Sequence, residues 1–597
     1  LFWAYKYVIK DLANRFRTRF LVWLEIRYER LLRYAMRGRR AYAFVFGTVL
    51  MLIFSFVLVG ISQPKVEFFP DNQPTQIIIY IEYPQGTDIA KTDEMTKSIE
   101  QVVIKTVNQP KYMDDGYNFM VESLVSQVGA GAGNPQTEGG SEAEMPHRGK
   151  ITATMREFKF RRGLSSENLR REIQQALAGT FAGVSISVEK DQAGPPLGYP
   201  INIEITGDNY GDLIEVSERM RNFIINMNIP GIEELKVDVN RNKPGMRIAV
   251  DRQKAGELGV SAGQVGFQLR QSLFGEKAGV YKKDGEDYNI NVRFQEEDRY
   301  NQSALFNQYI TFRDMASGQI KSIPVAAVTD RKNTSGYSAI KHRSLERVVT
   351  VYSAILPGYN AAEIVNQIKT QIDAFQLPAD MRYRFTGEIE EQEENMSFLS
   401  SALLYALFLI LVLLVLQFNS VSKPFIILFS IFMSFTGVFL GLVVFNMTFV
   451  IIMTMMGIIS LAGIVVNNSV VLLDYTQLLL DRRRDKHGLD YDYHLDRSDI
   501  FDAIVNGGKA RLRPVLLTAI TTVLGLIPLA VGLNINFFSL FATGDPQIYI
   551  GGDNVIFWGP LAWTVIFGLT FATFLTLVIV PVAFYLSKRA AIRLNKT

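Results

Sequence analysis

The chain has 597 residues, of which 48% are hydrophobic and 20% are charged, and its formal net charge is +3. This near-neutral charge gives no reason to expect a nucleic-acid partner. The absence of cysteine excludes disulfides, thiolate zinc sites and thiol chemistry. The first residues, LFWAYKYVIK, begin without Met, and we expect the chain to be one piece of a longer polypeptide.

Six segments are long and apolar enough to cross about 30 Å of hydrocarbon as helices. Lys and Arg are concentrated before the first span, after the last, and between the fourth and fifth, whereas the loops FNMT and NINFFSLFATGDPQIYIGGD have none. This distribution predicts that both ends of the chain are cytoplasmic and that the long polar stretch after the first span is external. The predicted spans are 41–62, 398–417, 425–445, 449–473, 514–533 and 561–586.

An Arg-rich segment, FRTRFLVWLEIRYERLLRYAMRGRR, precedes the first span and mixes apolar and basic positions at helical spacing. We predict a helix that lies flat on the cytoplasmic headgroups. A soluble amphipathic helix is the alternative.

The external stretch alternates β-rich runs with helical ones. Its first part is read as β-α-β-β-α-β, with strands in TQIIIYIEY, near 117–128, in RGKITATMREF and in GVSISVEK, and with helices over 88–106 and in SSENLRREIQQALAG. A second set begins with PINIEITG and resumes with ERVVTVYSAI. The residues between, about 243–340, form an insertion with a strand and two helices of its own. We predict two α+β subdomains, the second divided by a third.

No catalytic motif is visible in the sequence. The loop GAGAGNPQTEGG (129–140) lacks the GK[ST] of a phosphate-binding loop and the G-x-G-x-x-G spacing, so a flexible loop is predicted. The four histidines, His147, His342, His487 and His494, form no recognisable site. The sequence therefore predicts neither an enzyme nor a metal site nor a bound cofactor.

Small and polar residues recur along the fourth and fifth spans at helical spacing. One interpretation is close helix packing with amide–hydroxyl bonds, and the other is a hydrated, proton-linked site. No Asp, Glu, Lys, Arg or His lies near the centre of a span, so these groups can orient a proton carrier but cannot titrate near neutral pH. Asn467 and Thr518 are predicted at similar depth. The residues are Gly457, Ser460, Gly463, Asn467 and Asp474 on the fourth span and Arg511, Thr518, Gly525 and Gly532 on the fifth.

Several strings occur in the order found in the C-terminal half of resistance-nodulation-division (RND) permeases. GIVVNNSVVLLDY resembles the fourth span of that half, and KARLRPVLLTAITTVLGLIPLA resembles the fifth. GPPLGYPINIEITG, RIAVDRQKAGELGVS and FTGEIEEQEENM resemble landmarks of the external region. Together the matched strings extend over nearly the entire chain.

The resemblance implies a bacterial inner-membrane pump with two pseudo-repeated halves, of which the N-terminal half carries the titrating Asp pair. It also implies proton antiport, with the proton gradient as the energy source, a homotrimer, a periplasmic adaptor (membrane fusion) protein, an outer-membrane channel and surrounding membrane lipids. Relay positions inherited from the family would be Asn467, Asn468, Arg511 and Thr518.

The implied fold is an α-helical membrane bundle with a large periplasmic α+β region of ferredoxin-like, split-βαβ porter subdomains and an inserted docking subdomain. Its predicted divisions are a cytoplasmic linker with an interfacial helix (1–40), a transmembrane helix (41–62), the first porter subdomain (63–196), the second porter subdomain in two parts (197–242 and 341–396), the docking subdomain (243–340), a five-helix transmembrane block (397–586) and a cytoplasmic tail (587–597).

Two positions depart from the pattern of well-known multidrug members. Those proteins carry a Lys on the fourth span where this chain has Asn467, so the details of their relay do not transfer. Other RND sequences carry Asn-Asn, which indicates a different branch. The external stretch that is Phe-rich in multidrug pumps reads YNFMVESLVSQVGAGAGN here, and it offers Tyr117, Phe119 and Met120 as candidate substrate contacts.

The leading prediction is a proton-driven efflux subunit that exports hydrophobic or amphipathic small molecules, such as drugs, detergents and lipid-like compounds, across the Gram-negative envelope. A heavy-metal cation exporter is one alternative, although it would want clustered external methionines as soft ligands. The other alternative is a non-transporting auxiliary subunit that assists protein or lipoprotein export. The external methionines are scattered in sequence: Met95, Met113, Met145, Met155 and Met246.

Overall fold

The computed structural model divides into two compact units, each described by itself. One unit contains the candidate membrane helices and two α+β subdomains, and the other comprises residues 83–88 and 239–341. Predictions that concern residues 1–15, 135–140 and His494 lie outside the described residues. The structure describes residues 16–70, 72–134, 145–191, 198–239, 243–314, 318–337, 339–356, 359–488 and 495–594.

The Arg-rich segment forms helix α1 (Leu21–Met36), which precedes the first span, α2 (Arg40–Ser62). One face of α1 is buried, and the Tyr28 hydroxyl donates to the Leu577 carbonyl at 2.7 Å. On the other face Trp23 is 53% exposed. The helix is therefore docked on the cytoplasmic ends of later spans, and its place on the headgroups stays a prediction. Three ion pairs join it to the fifth span: Arg33–Asp502 (3.0 Å), Lys509–Glu29 (3.0 Å) and Arg513–Glu25 (2.6 Å).

The first external subdomain is a four-stranded antiparallel sheet covered by two helices. The strands are β1 (Gln76–Glu82), β2 (Val121–Gly129), β3 (Met145–Met155) and β4 (Ser185–Lys190). Their order across the sheet is β2-β3-β1-β4, which is the split-βαβ arrangement predicted from sequence. Alternate residues Ile77, Ile79 and Ile81 of β1 are buried against the helices, because successive side chains of a strand point to opposite faces. The covering helices are α3 (Ile89–Val107) and α4 (Ser166–Leu177).

The second external subdomain repeats this topology around the insertion. Its strands are β5 (Ile201–Thr206), β6 (Lys236–Val237), β7 (Glu346–Ser353) and β8 (Arg382–Phe385). Their order across the sheet is β6-β7-β5-β8, and residues 342–343 also pair with β7. The strand predicted in IEELKVDV is only two residues long, because only Lys236 and Val237 pair with β7. The helices of this subdomain are α5 (Tyr210–Asn226) and α6 (Ala361–Ile372).

The second compact unit is richer in strands than the sequence predicted. It has its own core, which includes the buried Val265, Val325 and Val328. The pair Glu276–Lys283 and Glu286–Val292 forms a hairpin whose side chains are nearly all exposed. The other strand pairs are Lys243–Val250 with Thr329–Gly336 and Tyr309–Arg313 with Ile320–Pro324, and the helices are Arg252–Leu258, Ala262–Phe274, Glu296–Arg299 and Gln302–Asn307.

Six helices of the described chain are long and apolar enough to cross a membrane, as predicted. Two of them, α8 (Ser422–Val444) and α12 (Asp553–Leu594), lie inside the bundle. In the most apolar stretch of each helix, 72% and 78% of the residues are buried. Gly437 of α8 allows this approach, since a Cβ there would lie 2.7 Å from the Phe567 carbonyl oxygen of α12. After α2 the spans are α7 (Glu388–Phe418), α8 (Ser422–Val444), α9 (Ile451–His487), α10 (Arg497–Val531) and α12 (Asp553–Leu594), with the short helix α11 (Phe537–Thr543) before the last.

The α8–α12 contact gives a first prediction. Gly437→Ala should destabilise the bundle by about 1–3 kcal/mol, because the added methyl group meets backbone that cannot rotate away. Thermal unfolding of the purified protein in detergent measures the loss. Gly47→Ala on α2 is the matched control, since its Cβ would meet nothing within 4 Å. Equal stability of the two variants would contradict the prediction.

Candidate functional site

A hydrogen bond joins the fourth and fifth spans where the sequence predicted polar contacts. The Thr518 hydroxyl of α10 donates to Oδ1 of Asn468 on α9 at 2.9 Å. Asn468 is only 6% exposed. The sequence placed Asn467 and Thr518 at similar depth, and the structure shows that the neighbouring Asn468 is the side chain that turns toward α10, because consecutive helical residues differ by about 100° in direction.

Asn467 instead lies exposed on the outer face of α9. Gly457, predicted on the same stripe, packs against α12, where a Cβ would lie 2.9 Å from the Thr564 side chain. The predicted stripe is therefore divided between a packing surface and an outward face. We call the outward face the polar seam, and it comprises the exposed residues Ser460, Gly463, Asn467, Asp474, Thr518 and Thr521.

The polar seam can donate and accept hydrogen bonds, but its hydrocarbon part contains no carboxylate or amine. Among the described residues no ion pair joins Asp474 to Arg511. The Arg511 guanidinium lies over the Tyr475 ring, 4.5 Å from its centroid. Arg511 thus lies near the cytoplasmic end of the seam, and the amide and hydroxyl groups deeper in the membrane can only orient a proton carrier.

The three candidate substrate contacts do not share a cavity surface. Tyr117 is 53% exposed, with the Arg156 guanidinium 4.1 Å from its ring centroid. Phe119 and Met120 are buried in the core of the first subdomain. Their role in substrate binding stays a prediction, and only Tyr117 presents its side chain to solvent.

A cleft lies between the first and second external subdomains, and sequence reasoning missed it because its residues come from widely separated segments. The Tyr199 hydroxyl donates to the Glu189 carboxylate at 2.8 Å, and the Asn134 amide donates to it at 3.3 Å. The rings of Tyr199 and Tyr352 stack at 5.0 Å. The inter-subdomain cleft is lined by Tyr80, Glu82, Asn134, Arg148, Glu189, Tyr199, Glu233, Glu234, Lys236 and Tyr352, among others.

The electrostatics of this cleft centre on Glu189. Burial raises the pKa of its carboxyl group, and the nearby charge of Glu233 raises it further. Hydrogen bonds from Tyr199, Ser187 and Asn134 act in the opposite direction without cancelling the effect. Burial also raises the pKa of the Tyr199 phenol, so that side chain remains a hydrogen-bond donor. The cleft combines acidic groups with stacked aromatic rings.

Comparison with known proteins decides the family. The profile of the AcrB/AcrD/AcrF family matches residues 9–588. The chain belongs to the AcrB/AcrD/AcrF family. The sequence-based predictions of an RND permease, of its fold and of its place as a multi-pass protein in the inner membrane are therefore confirmed.

Relatives of this AcrB/AcrD/AcrF-family chain are named for different functions. Cobalt-zinc-cadmium resistance protein CzcA of Cupriavidus metallidurans is 24% identical over 578 residues, which are 96% of this chain and 49% of that protein. Swarming motility protein SwrC of Bacillus subtilis is 29% identical, over 56% of this chain and 28% of that protein. Multidrug resistance protein MdtC of Erwinia tasmaniensis is 24% identical, over 60% and 32%.

A crystal structure of a heavy metal efflux pump has the same fold, with a TM-score of 0.69 and 22% identity. The match covers 95% of this chain and 52% of that one. The chain thus spans about half the length of CzcA and of this pump.

The bond between α9 and α10 generates a prediction. Thr518→Val should destabilise the protein by about 1 kcal/mol, because the buried Asn468 oxygen loses its donor. Thermal unfolding in detergent reports the change. Thr521→Val is the matched control, since the Thr521 hydroxyl donates only to carbonyls of its own helix, including Leu517 at 2.8 Å. An equal loss in both variants would count against the interhelical bond.

The cleft generates a pH-dependent prediction. Because the pKa of Glu189 is raised on folding, its contribution to stability is complete below the unfolded pKa of about 4.3 and is lost as pH rises through the raised value. Glu189→Gln, which stays neutral, should therefore lose less thermal stability than the wild type as the pH is raised above the unfolded pKa. The exposed Glu122→Gln on β2 is the control. Parallel pH profiles for all three proteins would refute the expectation.

Proposed function

We propose that the chain is the C-terminal half of a proton-driven RND exporter, and that it shapes a hydrated path whose titrating carboxylates belong to another part of the pump. The observation that carries this proposal is the polar seam. The homotrimer, the adaptor and the outer-membrane channel are parts of the same proposal.

Exposed amides are costly in a membrane. An unpaired polar group in hydrocarbon costs several kcal/mol, and Asn467 lies exposed on α9 beside the bonded pair Asn468–Thr518. Lipid cannot supply the missing hydrogen bonds, whereas a second helical bundle or a file of water can. Intramembrane polar groups of this kind commonly mark ion and proton paths. An N-terminal half that covers the polar seam and carries the carboxylates would supply the missing hydrogen-bond partners. No charged group would then be left unpaired in the membrane.

The residues that line the inter-subdomain cleft favour an amphipathic cargo, and in particular a cationic one. Glu82, Glu189, Glu233 and Glu234 outnumber Arg148 and Lys236 on its lining. Stacked tyrosine rings offer a flat apolar surface that also attracts cations. A largely apolar cargo with one positive group would match both features.

Heavy-metal cations are the second candidate, and the relatives favour them. CzcA is a cobalt-zinc-cadmium resistance protein by name, and the similar crystal structure is a heavy metal efflux pump. Against this, the thioethers expected to serve as soft ligands are used elsewhere. Met155 lies in the core of the first subdomain, and Met246 packs on the core of the inserted unit. An auxiliary role in protein or lipoprotein export has no supporting contact of its own.

A seam variant tests the proposal. Asn467→Leu combined with Thr518→Val should reduce export to the level of cells without the pump, because the path loses both polar groups while apolar packing is kept. Resistance of a pump-deficient host measures this against cationic detergents and dyes in one panel and cobalt, zinc and cadmium salts in another. Thr570→Val is the control, since that hydroxyl bonds only to Ile566 of its own helix.

The outcomes separate the parts of the proposal. Lost resistance with normal expression and trimer assembly supports a role for the seam in transport, and the panel that responds identifies the cargo class. Unchanged resistance in a host that the wild type protects would reduce the seam to helix packing. A wild type that protects against neither panel would favour the auxiliary role.

A further inference from the structure

Two lysines lie side by side at the cytoplasmic ends of α8 and α12. Ser422 of α8 and Ser587 of α12 share a hydrogen bond of 2.5 Å, and each is followed directly by a lysine, Lys423 and Lys588. Because the two serines are bonded, the backbones that carry the two lysines lie close together. Both side chains are only partly exposed.

Neither ammonium group forms an ion pair among the described residues, although two carboxylates, Asp474 and Asp481, and a third cation, Arg484, lie near Lys423. The two lysines form no ion pair and no hydrogen bond there, and each instead lies over an aromatic ring, Lys423 at 5.1 Å from Phe418 and Lys588 at 5.5 Å from Phe584. Nearby Asp481 already accepts from Gln477 at 2.8 Å and pairs with Arg484 at 3.4 Å. The cluster therefore holds a surplus of positive charge in a partly desolvated place, where like charges repel strongly.

The chemistry of the cluster fits a phosphate-type anion. Two ammonium groups can share the oxygens of one phosphate, and the adjoining hydroxyl groups of Ser422 and Ser587 can donate to it. The site lies where α8 enters the membrane on the cytoplasmic side. It also adjoins the end of α7, where Lys423 lies over the Phe418 ring, and only 17% of the most apolar stretch of α7 is buried within the described chain. Basic pockets at this depth between spans bind anionic headgroups.

We propose that Lys423 and Lys588, brought together by the Ser422–Ser587 bond, bind a phosphate-type anion at the cytoplasmic surface of the bundle, supplied by the headgroup of an anionic phospholipid. Free cytoplasmic phosphate shares this chemistry and is the other source. The site lies on packed helices that no proposed step of transport uses, so it stands independently of the export function.

The test is a binding measurement on the delipidated full protein in detergent. Native mass spectrometry and thermal unfolding are followed while short-chain phosphatidylglycerol, phosphatidylcholine or inorganic phosphate is added. Phosphatidylglycerol should bind and stabilise the wild type, phosphatidylcholine should not, and Lys423→Gln with Lys588→Gln should weaken phosphatidylglycerol binding about thirtyfold. The control is Arg482→Gln with Lys486→Gln, which removes the same charge from exposed residues at the end of α9.

Each result decides something. Lys423→Arg with Lys588→Arg should retain binding, which separates loss of charge from loss of folding. If inorganic phosphate but not phosphatidylglycerol stabilises the wild type, and the glutamine variant loses this effect, the two lysines bind an anion. The anion is then free phosphate and not a lipid headgroup. Equal phosphatidylglycerol binding by the wild type and the glutamine variant, or an equal loss in the Arg482/Lys486 control, would overturn the proposal.

Discussion

Hydrocarbon offers no hydrogen bonds, so every polar group carried into the membrane must find its partner within protein or water. This constraint explains why Asn468 and Thr518 bond to each other across two helices. Close packing of spans is a second requirement, and α8 and α12 meet it because glycine at 437 allows backbone contact where bulky side chains would separate the spans. The exposed amide of Asn467 is a polar group that the described part of the chain leaves for another surface to satisfy.

The same constraint sets what the sequence could predict. Apolar length identified the spans, and the β-rich run IIIYI in TQIIIYIEY identified β1, because both patterns report burial of a whole element. Adjacent asparagines carry no such signal. Which of Asn467 and Asn468 turns toward α10 depends on the rotation of α9 about its axis, and that rotation is fixed by contacts such as Gly457 with Thr564. The sequence could therefore place Asn467 and Thr518 at similar depth without showing which asparagine bonds to Thr518.

The external region shows a second limit. The split-βαβ order was readable from alternating strands and helices, but the inter-subdomain cleft was not. Glu189, Tyr199 and Tyr352 come from β4, from the segment before β5 and from β7, and only the folded sheets bring them together. The resemblance to a Phe-rich stretch of multidrug pumps directed attention to Tyr117, Phe119 and Met120, two of which pack in the core. Residues that fill a core and residues that line a cavity are the same types, and topology alone separates them.

The connection between membrane and cleft runs through the start of α7. That helix begins three residues after β8, and its Glu390 pairs with Arg343 at 3.1 Å and with Arg384 at 3.3 Å. The junction turns at Gly387, whose φ of 73° and close approach to Asn202 exclude a side chain. The span is therefore covalently continuous with the sheet and held to it by charged pairs, and β8 is bonded to its neighbour β5. Tyr199, which donates to Glu189 in the cleft, lies two residues before β5, so the same junction joins the span to the segment that bears this donor.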